Sequence, residues 1–373
     1  MRIVYVLTSL GMGGAERQVL ALATRMVDRG HAVALLVLRP PLPEQWPTSI
    51  EVHHLDIRKT PGSVLLGLAN AHRFLRTFRP DLLHSHSFHA NMIARALKLL
   101  HPAFVSISTV HNVYEGGWPR MLAYRLTDVL SRRTTAVSQA AADRFIHIRA
   151  VPHQKCIVLT NGIDTEEFLP NANRREQMRS AMSANSDFTW LTAGRIAPAK
   201  DYPNLLRAFA QVWASQPKAY LWIAGEAAAN ALAADLRALA SELGIADSVR
   251  WLGLRRDLPA LLDAADGFVL ASAWEGMPLA LGEAMAMQKP VVATEVGGVR
   301  ELAGDSAALV SPADSQALAG AMLNVMRMSA DDRRSQGRAA RTRIETQFSM
   351  DSKASEWEAL YGTVLGCDRS STH

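Results

Sequence analysis

Cysteine is nearly missing from this chain, with two residues, Cys156 and Cys367, among 373. Two thiols cannot build a disulfide framework and these show no metal-ligand spacing, so a reducing, cytosolic setting is expected. Long apolar runs are missing too: the longest of real hydrophobicity, Ala32 to Leu38, falls far below the roughly 18 residues of a spanning helix. The start, Met1 to Leu10, meets Gly11, Gly13 and Gly14 with no separate apolar region before them, which favours a first strand over a signal peptide. No Asp-x-Asp stands at a strand end, so the usual acidic clamp for a metal on a nucleotide diphosphate is not written here, and no metal or other cofactor is expected. Polar low-complexity tracts are absent as well. With 49% hydrophobic and 20% charged residues, a mainly disordered chain or a fibre is excluded.

What is present is enough chain for two domains of roughly 100–200 residues each, with unevenly distributed charge. Residues 1–186 carry 22 Lys+Arg against 13 Asp+Glu, and residues 187–373 carry 18 against 22. A basic first half can meet nucleic acid, anionic lipid or a phosphorylated substrate, or can simply reflect abundant arginine.

Short apolar runs alternate with helical periodicity. Ile3–Leu7, Val33–Leu38, Val52–Leu55, Leu82–His84, Val105–Thr109, Thr135–Val137 and Ile157–Thr160 read as strands, and Gly30 as the C-cap of the first helix. The scheme restarts near Phe188, with strands through Ala193 and at Tyr220–Ala224, Val249–Leu252, Phe268–Ala271 and Val291–Ala293. Such alternation implies parallel βαβ units in two Rossmann-like domains. Boundaries are expected at residues 1–169, a polar linker at 170–187, a second domain at 188–350, and a C-terminal helix and tail at 351–373.

Three loops carry candidate chemistry. Gly11-Met12-Gly13-Gly14-Ala15-Glu16 lies between the first strand and the first helix; glycines there let backbone N–H groups approach a phosphate or sugar, or merely make a tight turn. Gly194-Arg195 with Lys200 places two cations after the second domain's first strand, suited to a diphosphate or to solvent. In Glu275-Gly276-Met277-Pro278-Leu279-Ala280-Leu281-Gly282-Glu283, Pro278 suits the N1 position of a helix, and the two carboxylates suit sugar and ribose hydroxyls.

Glu275-x7-Glu283, Gly194-Arg195 with Lys200, Gly13-Gly14-Ala15-Glu16 and Asn161-Gly162-Ile163-Asp164 together resemble the retaining GT-B glycosyltransferases of family 4, in the right order over nearly the whole chain. The resemblance implies an α/β GT-B fold, two facing Rossmann-like domains with an interdomain cleft, the first on the acceptor side and the second binding a nucleotide sugar. It implies that Arg195 and Lys200 bind the donor diphosphate, Glu283 the ribose, and Glu275 with the Gly276, Met277, Pro278, Leu279 and Ala280 backbone the transferred sugar. Gly13 and Gly14 approach the same donor, and His111 resembles the family's active-site histidine; His111, Glu275, Arg195 and Lys200 are the catalytic set. Gly225, Gly253, Leu254 and Arg255 are candidate neighbours of the base, although Gly225-Glu226-Ala227-Ala228-Ala229 departs from the family's usual Gly-Pro-like turn. A hexose or N-acetylhexosamine donor on UDP first, or GDP second, and a lipid-linked bacterial glycan acceptor are implied. Retention by front-face attack needs no protein nucleophile.

His84, His86 and His89 cluster after a strand, with His84 and His86 on one face. No Cys or acidic ligand joins them, so zinc is not expected; with Glu16, His84 and His86 are candidate acceptor contacts, the alternative being core histidines. An NADP-dependent oxidoreductase would use Gly11–Gly14 with Arg39, but it leaves Arg195, Lys200, Glu275 and Glu283 without a role. A binding subunit without turnover is the remaining alternative. Finally, Arg120, Arg125, Arg132 and Arg133 surround Trp118, Met121, Leu122, Tyr124 and Leu126. As a helix this mixture suits an anionic membrane surface on the cytoplasmic side, or a helix whose apolar face packs inward while its arginines meet water. Nucleic acid is not an expected partner.

Overall fold

A computed structural model describes residues 1–11, 13–41, 49–58, 60–184, 187–227 and 230–369. Met12 and Ala228–Ala229 of the loops above, Asn185 and Ser186 of the expected linker, and residues 370–373 of the tail lie outside the described residues. The chain divides into two compact units, Met1–Gly162 with Met350–His373, and Ile163–Ser349.

The first unit alternates β1 (Arg2–Leu7), α1 (Gly14–Asp28), β2 (Ala32–Val37), β3 (Glu51–His54), α2 (Pro61–Phe78), β4 (Leu82–His86), α3 (Phe88–Leu100), β5 (Val105–Val110), α4 (Trp118–Thr127), β6 (Arg133–Ala136), α5 (Gln139–His147) and β7 (Cys156–Val158). Its seven strands lie in the order β3-β2-β1-β4-β5-β6-β7, and every pairing is parallel. Strand β1 is apolar on both faces because both are covered: Ile3, Tyr5 and Leu7 join one core cluster and Val4 and Val6 the other. The order reverses between β1 and β4, so the loops after these strands flank the crevice where doubly wound sheets take ligands. Gly30 is not the C-cap of α1. Arg29 is, and Gly30 follows at φ +81°, the left-handed position that glycine fills most easily.

The second unit contains α6 (Ala172–Ala181), β8 (Thr189–Ala193), α7 (Tyr202–Ser215), β9 (Tyr220–Ala224), α8 (Asn230–Glu242), β10 (Val249–Gly253), α9 (Leu258–Ala264), β11 (Gly267–Leu270), α10 (Leu279–Ala286), β12 (Val291–Thr294), α11 (Val299–Ala303), β13 (Ala308–Val310), α12 (Ser315–Arg327) and α13 (Ala330–Gln347). The strand order is β10-β9-β8-β11-β12-β13, again parallel, with the reversal between β8 and β11. Three-residue β13 is too short to show periodicity and has no counterpart in the sequence reading.

One expectation about organisation changes. Residues 170–187 are not simply a linker, because most of them form α6. This helix shows no apolar stripe because charge attaches it: Arg174 pairs with Asp263, and Arg175 and Arg179 contact the two Asp266 oxygens at 2.6 and 3.1 Å. The terminal helix, α14 (Met350–Arg369), groups with the first unit. Trp357, Tyr361 and Val364 enter the core beside Tyr5 and Val19, while Arg25 meets Asp351 and Arg29 meets Glu358, each at 2.7 Å.

Candidate functional site

In the second unit, the loops after β8 and β11 are the two candidate donor motifs, and they border the sheet's switch point. Their backbones are joined: the Ala273 N–H donates to Ala199 O at 2.8 Å. Two glycines make this close packing feasible. A Cβ on Gly225 would lie 1.9 Å from Gly194 O, and one on Gly297 would lie 1.9 Å from Glu275 O, so any side chain would push the loops apart. Gly225 is thereby placed under the β8 loop, and its N–H donates to Gly253 O at 2.8 Å.

Lys200 and Glu275, 75 residues apart, meet at 2.5 Å through Nζ and Oε1. Ser272 Oγ donates to the same oxygen at 2.6 Å. Glu275 is buried, and its charge, together with burial, raises the pKa of neighbouring Tyr202, burial being the larger cause; the Tyr202 hydroxyl donates to Gly194 O at 3.0 Å. Arg195 is exposed, and among the described residues no acidic partner holds it. The arrangement thus presents one unengaged guanidinium and one ammonium already balanced by a carboxylate, a pair that an incoming diphosphate can reorganise.

Pro278 is the N-cap of α10 rather than its N1 residue, and Leu279 is the first helical residue. The shift leaves the intended geometry intact, since the N–H groups of Leu279 and Ala280 still lead the helix with its positive dipole end. Gly276, Met277 and Pro278 are buried, and Glu283 lies buried on the second turn. Leu254 is exposed after β10, whereas Arg255 is held by Asp257 through two bonds of 2.7 and 2.5 Å.

In the first unit, Gly13 is the N-cap of α1 and Gly14 its first residue. A Cβ on Gly13 would sit 2.3 Å from Glu16 Oε2, and Ser9 Oγ donates to Glu16 Oε1 at 3.0 Å. Glu16, expected at the acceptor, is folded back over its own turn. His84, a second of the three expected contacts, is a core residue: its ring nitrogens meet Tyr361 Oη at 2.7 Å and Thr109 Oγ1 at 2.6 Å, and it is fully buried. His86 is buried as well, but it touches the candidate catalytic histidine, Nδ1 to His111 Nε2 at 2.9 Å. Burial holds all three imidazoles neutral, lowering His84 and His86 well below the ordinary value and His111 to about 4.

Beneath His111 is a network that the sequence reading missed. The His111 N–H donates to Glu115 Oε1 at 2.9 Å, the Tyr124 hydroxyl donates to Glu115 Oε2 at 2.7 Å, and Asn91 Nδ2 donates to the Tyr124 oxygen at 2.9 Å. Tyr124 is therefore an interior anchor and not a membrane one. The available signal was an acid four residues after His111, ahead of Gly116-Gly117. Burial raises the Glu115 pKa from its ordinary value of 4.5 to about 7, against the lowering effect of these bonds. A carboxyl group whose pKa rises on folding contributes stability that is complete below 4.5 and is lost as pH climbs through about 7. The neighbouring histidines act with the opposite sign but are common to a Glu115→Gln variant. The melting-midpoint difference, wild type minus variant, is thus expected to decline between about pH 4.5 and about pH 7; a constant difference would show that Glu115 does not titrate in this window.

Two Rossmann-like parallel-sheet units, the second with charged loops at its sheet reversal, are the architecture of the GT-B class of fold. Residues 12–167 match the family model described as Glycosyltransferase Family 4, and residues 187–328 match that of Glycosyl transferases group 1. The chain belongs to the GT-B glycosyltransferases of family 4, which use nucleotide sugars, and this replaces the oxidoreductase reading. It is 26% identical over 242 residues to the Escherichia coli UDP-Gal:alpha-D-GlcNAc-diphosphoundecaprenol alpha-1,3-galactosyltransferase, the match covering 62% of each chain. It is 29% identical to the D-inositol 3-phosphate glycosyltransferase of Actinosynnema mirum over 77% of each chain. Among solved structures, Anabaena HepE in complex with UDP and glucose shares its fold, with a TM-score of 0.82, 21% identity, and coverage of 96% of this chain and 99% of that one.

Proposed function

We propose that this protein transfers a hexose or N-acetylhexosamine, with retention of anomeric configuration and without a metal, from a UDP-sugar to a lipid-linked glycan in bacterial surface polysaccharide synthesis. A GDP-sugar is the second choice of donor. The observation that carries the reading is the Lys200–Glu275 contact beside the exposed Arg195, in the two loops that border the β8/β11 reversal. Cations there neutralise charge that develops on the departing diphosphate, and a carboxylate among them addresses sugar hydroxyls. UDP is favoured because the similar E. coli enzyme uses UDP-Gal and the similar HepE structure contains UDP; the diphosphoundecaprenol in the former's name supports a lipid-linked acceptor.

In the proposed step the bond from the anomeric carbon to the diphosphate oxygen breaks. The acceptor oxygen bonds to that carbon from the same face, and the acceptor's proton passes to the departing diphosphate. His111, neutral and backed by His86 and Glu115, is the first unit's candidate for contact with the sugar. Activity is assigned to the cytoplasmic face of the cell membrane. The test combines a thermal-shift screen of UDP- and GDP-sugars with mass spectrometry of product in the presence and absence of chelator. A midpoint rise with a UDP-sugar and chelator-resistant transfer are expected. No rise with any nucleotide sugar, or transfer abolished by chelator and restored by magnesium or manganese, would overturn the corresponding part.

A further inference from the structure

The segment around α4 carries apolar residues on two sides. Met121 and Tyr124 pack inward against Phe145 and Ala136, which satisfies the helix's need for a buried stripe. Yet Trp118, Leu122, Leu126 and Val129 remain 75%, 42%, 70% and 82% exposed. At 3.6 residues per turn, the three on the helix fall within about 80° of arc, with Arg125 beside them. Exposed apolar side chains scattered singly need no explanation, but a ridge led by tryptophan does. Leu99 and Leu100 are also exposed, at the end of α3, whose Arg95 is bonded to Tyr124 O and Thr127 Oγ1.

Exposed charge along this segment has one sign. From Gly116 to Ser138 the chain has four arginines and a single acid, Asp128. Asp128 is buried and paired with Lys155 at 3.0 Å, and the preceding acid, Glu115, is turned into the Tyr124 network. Arg120 is occupied too, its guanidinium over the Phe88 ring and bonded to Glu115 O. Arg125 and Arg132 are exposed, with no acidic partner among the described residues, and Arg133 is half-buried next to them.

We propose that this ridge, Trp118, Leu122, Leu126 and Val129 with Arg125, Arg132 and Arg133, docks the first unit on an anionic phospholipid surface. Tryptophan and aliphatic side chains enter the headgroup boundary while the arginines pair with lipid phosphates, as in helices that lie in a bilayer interface without spanning it. The inference rests on the lipid-linked acceptor reading and gives it a surface. Each cation near an anionic bilayer strengthens partitioning by about fivefold, an effect that salt screens over the Debye length.

The experiment is co-sedimentation of the full chain with vesicles of phosphatidylglycerol and phosphatidylethanolamine, or of phosphatidylcholine alone. Binding to the anionic vesicles only, lost in high salt, is expected. Leu126→Ser with Val129→Ser should lower it at least tenfold, and Arg125→Glu with Arg132→Glu should abolish it. UDP binding and donor-sugar hydrolysis should be unchanged in both variants, so that loss of the surface is separated from loss of the glycosyl-transfer reading. Absence of binding at low salt, equal binding to neutral vesicles, or concentration-dependent self-association relieved by Leu126→Ser with Val129→Ser would overturn the proposal, the last by assigning the ridge to a second copy of the chain.

Discussion

Replacing Lys200 or Arg195 with alanine is expected to weaken UDP binding by about ten- to a hundredfold in each case, because a charge-assisted hydrogen bond to phosphate contributes roughly 1.5–3 kcal/mol. The structure separates the two variants by a second readout. Arg195 is exposed and has no acidic partner among the described residues, so Arg195→Ala should leave the melting midpoint of the unliganded protein where it was. Lys200 balances the buried Glu275. Its removal leaves that carboxylate with Ser272 as its remaining bonded partner among the described residues, at a cost of about 1–3 kcal/mol, so Lys200→Ala should lower the midpoint as well. Calorimetric titration with UDP and thermal melts of both variants decide the matter. Undiminished UDP binding in both would remove the diphosphate assignment.

A second large effect is expected for Glu275→Gln. The substitution preserves shape and the Ser272 contact but removes the anion that holds Lys200. An ammonium shared between a carboxylate and a diphosphate must give up part of one to serve the other, so UDP alone should bind the variant as tightly as the wild type or more tightly. Sugar transfer should nevertheless fall by about a hundredfold or more, the scale of losing one oriented polar contact to the reacting group. Glu283→Gln, assigned to the ribose, should instead weaken UDP even without its sugar. Nucleotide titration alongside single-turnover transfer distinguishes them: a Glu275→Gln variant with impaired UDP affinity and normal transfer of bound donor would reverse the two roles.

The contrast between these residues shows how far local pattern reaches. Apolar runs such as Ile3–Leu7 and Tyr220–Ala224, and the glycines and prolines between them, were readable because strand and helix periods and turn chemistry are properties of neighbouring residues. Two parallel sheets followed from their alternation, and so did the position of both candidate donor motifs in loops after strands. Strand order was less accessible, because it depends on which strands pair at long range. The arrangement that puts the loops after β8 and β11 on either side of a reversal is a fact of the folded sheet.

The amino-acid sequence by itself determined the family, the α/β class and the residue types at the candidate donor motifs, since each is carried by short segments with characteristic spacing. Only the tertiary structure decided that Lys200 and Glu275 are one ion pair, that Glu16 turns back on its own loop and His84 belongs to the core, and that Glu115 with Tyr124 supports His111. It also decided that α6 is attached by Arg–Asp pairs in place of an apolar stripe, and that α4 buries Met121 and Tyr124 while leaving Trp118, Leu122 and Leu126 outside. These outcomes depend on contacts between side chains distant in sequence, or on which side of an element its neighbours cover. Local periodicity reports an apolar face but not what is packed against it.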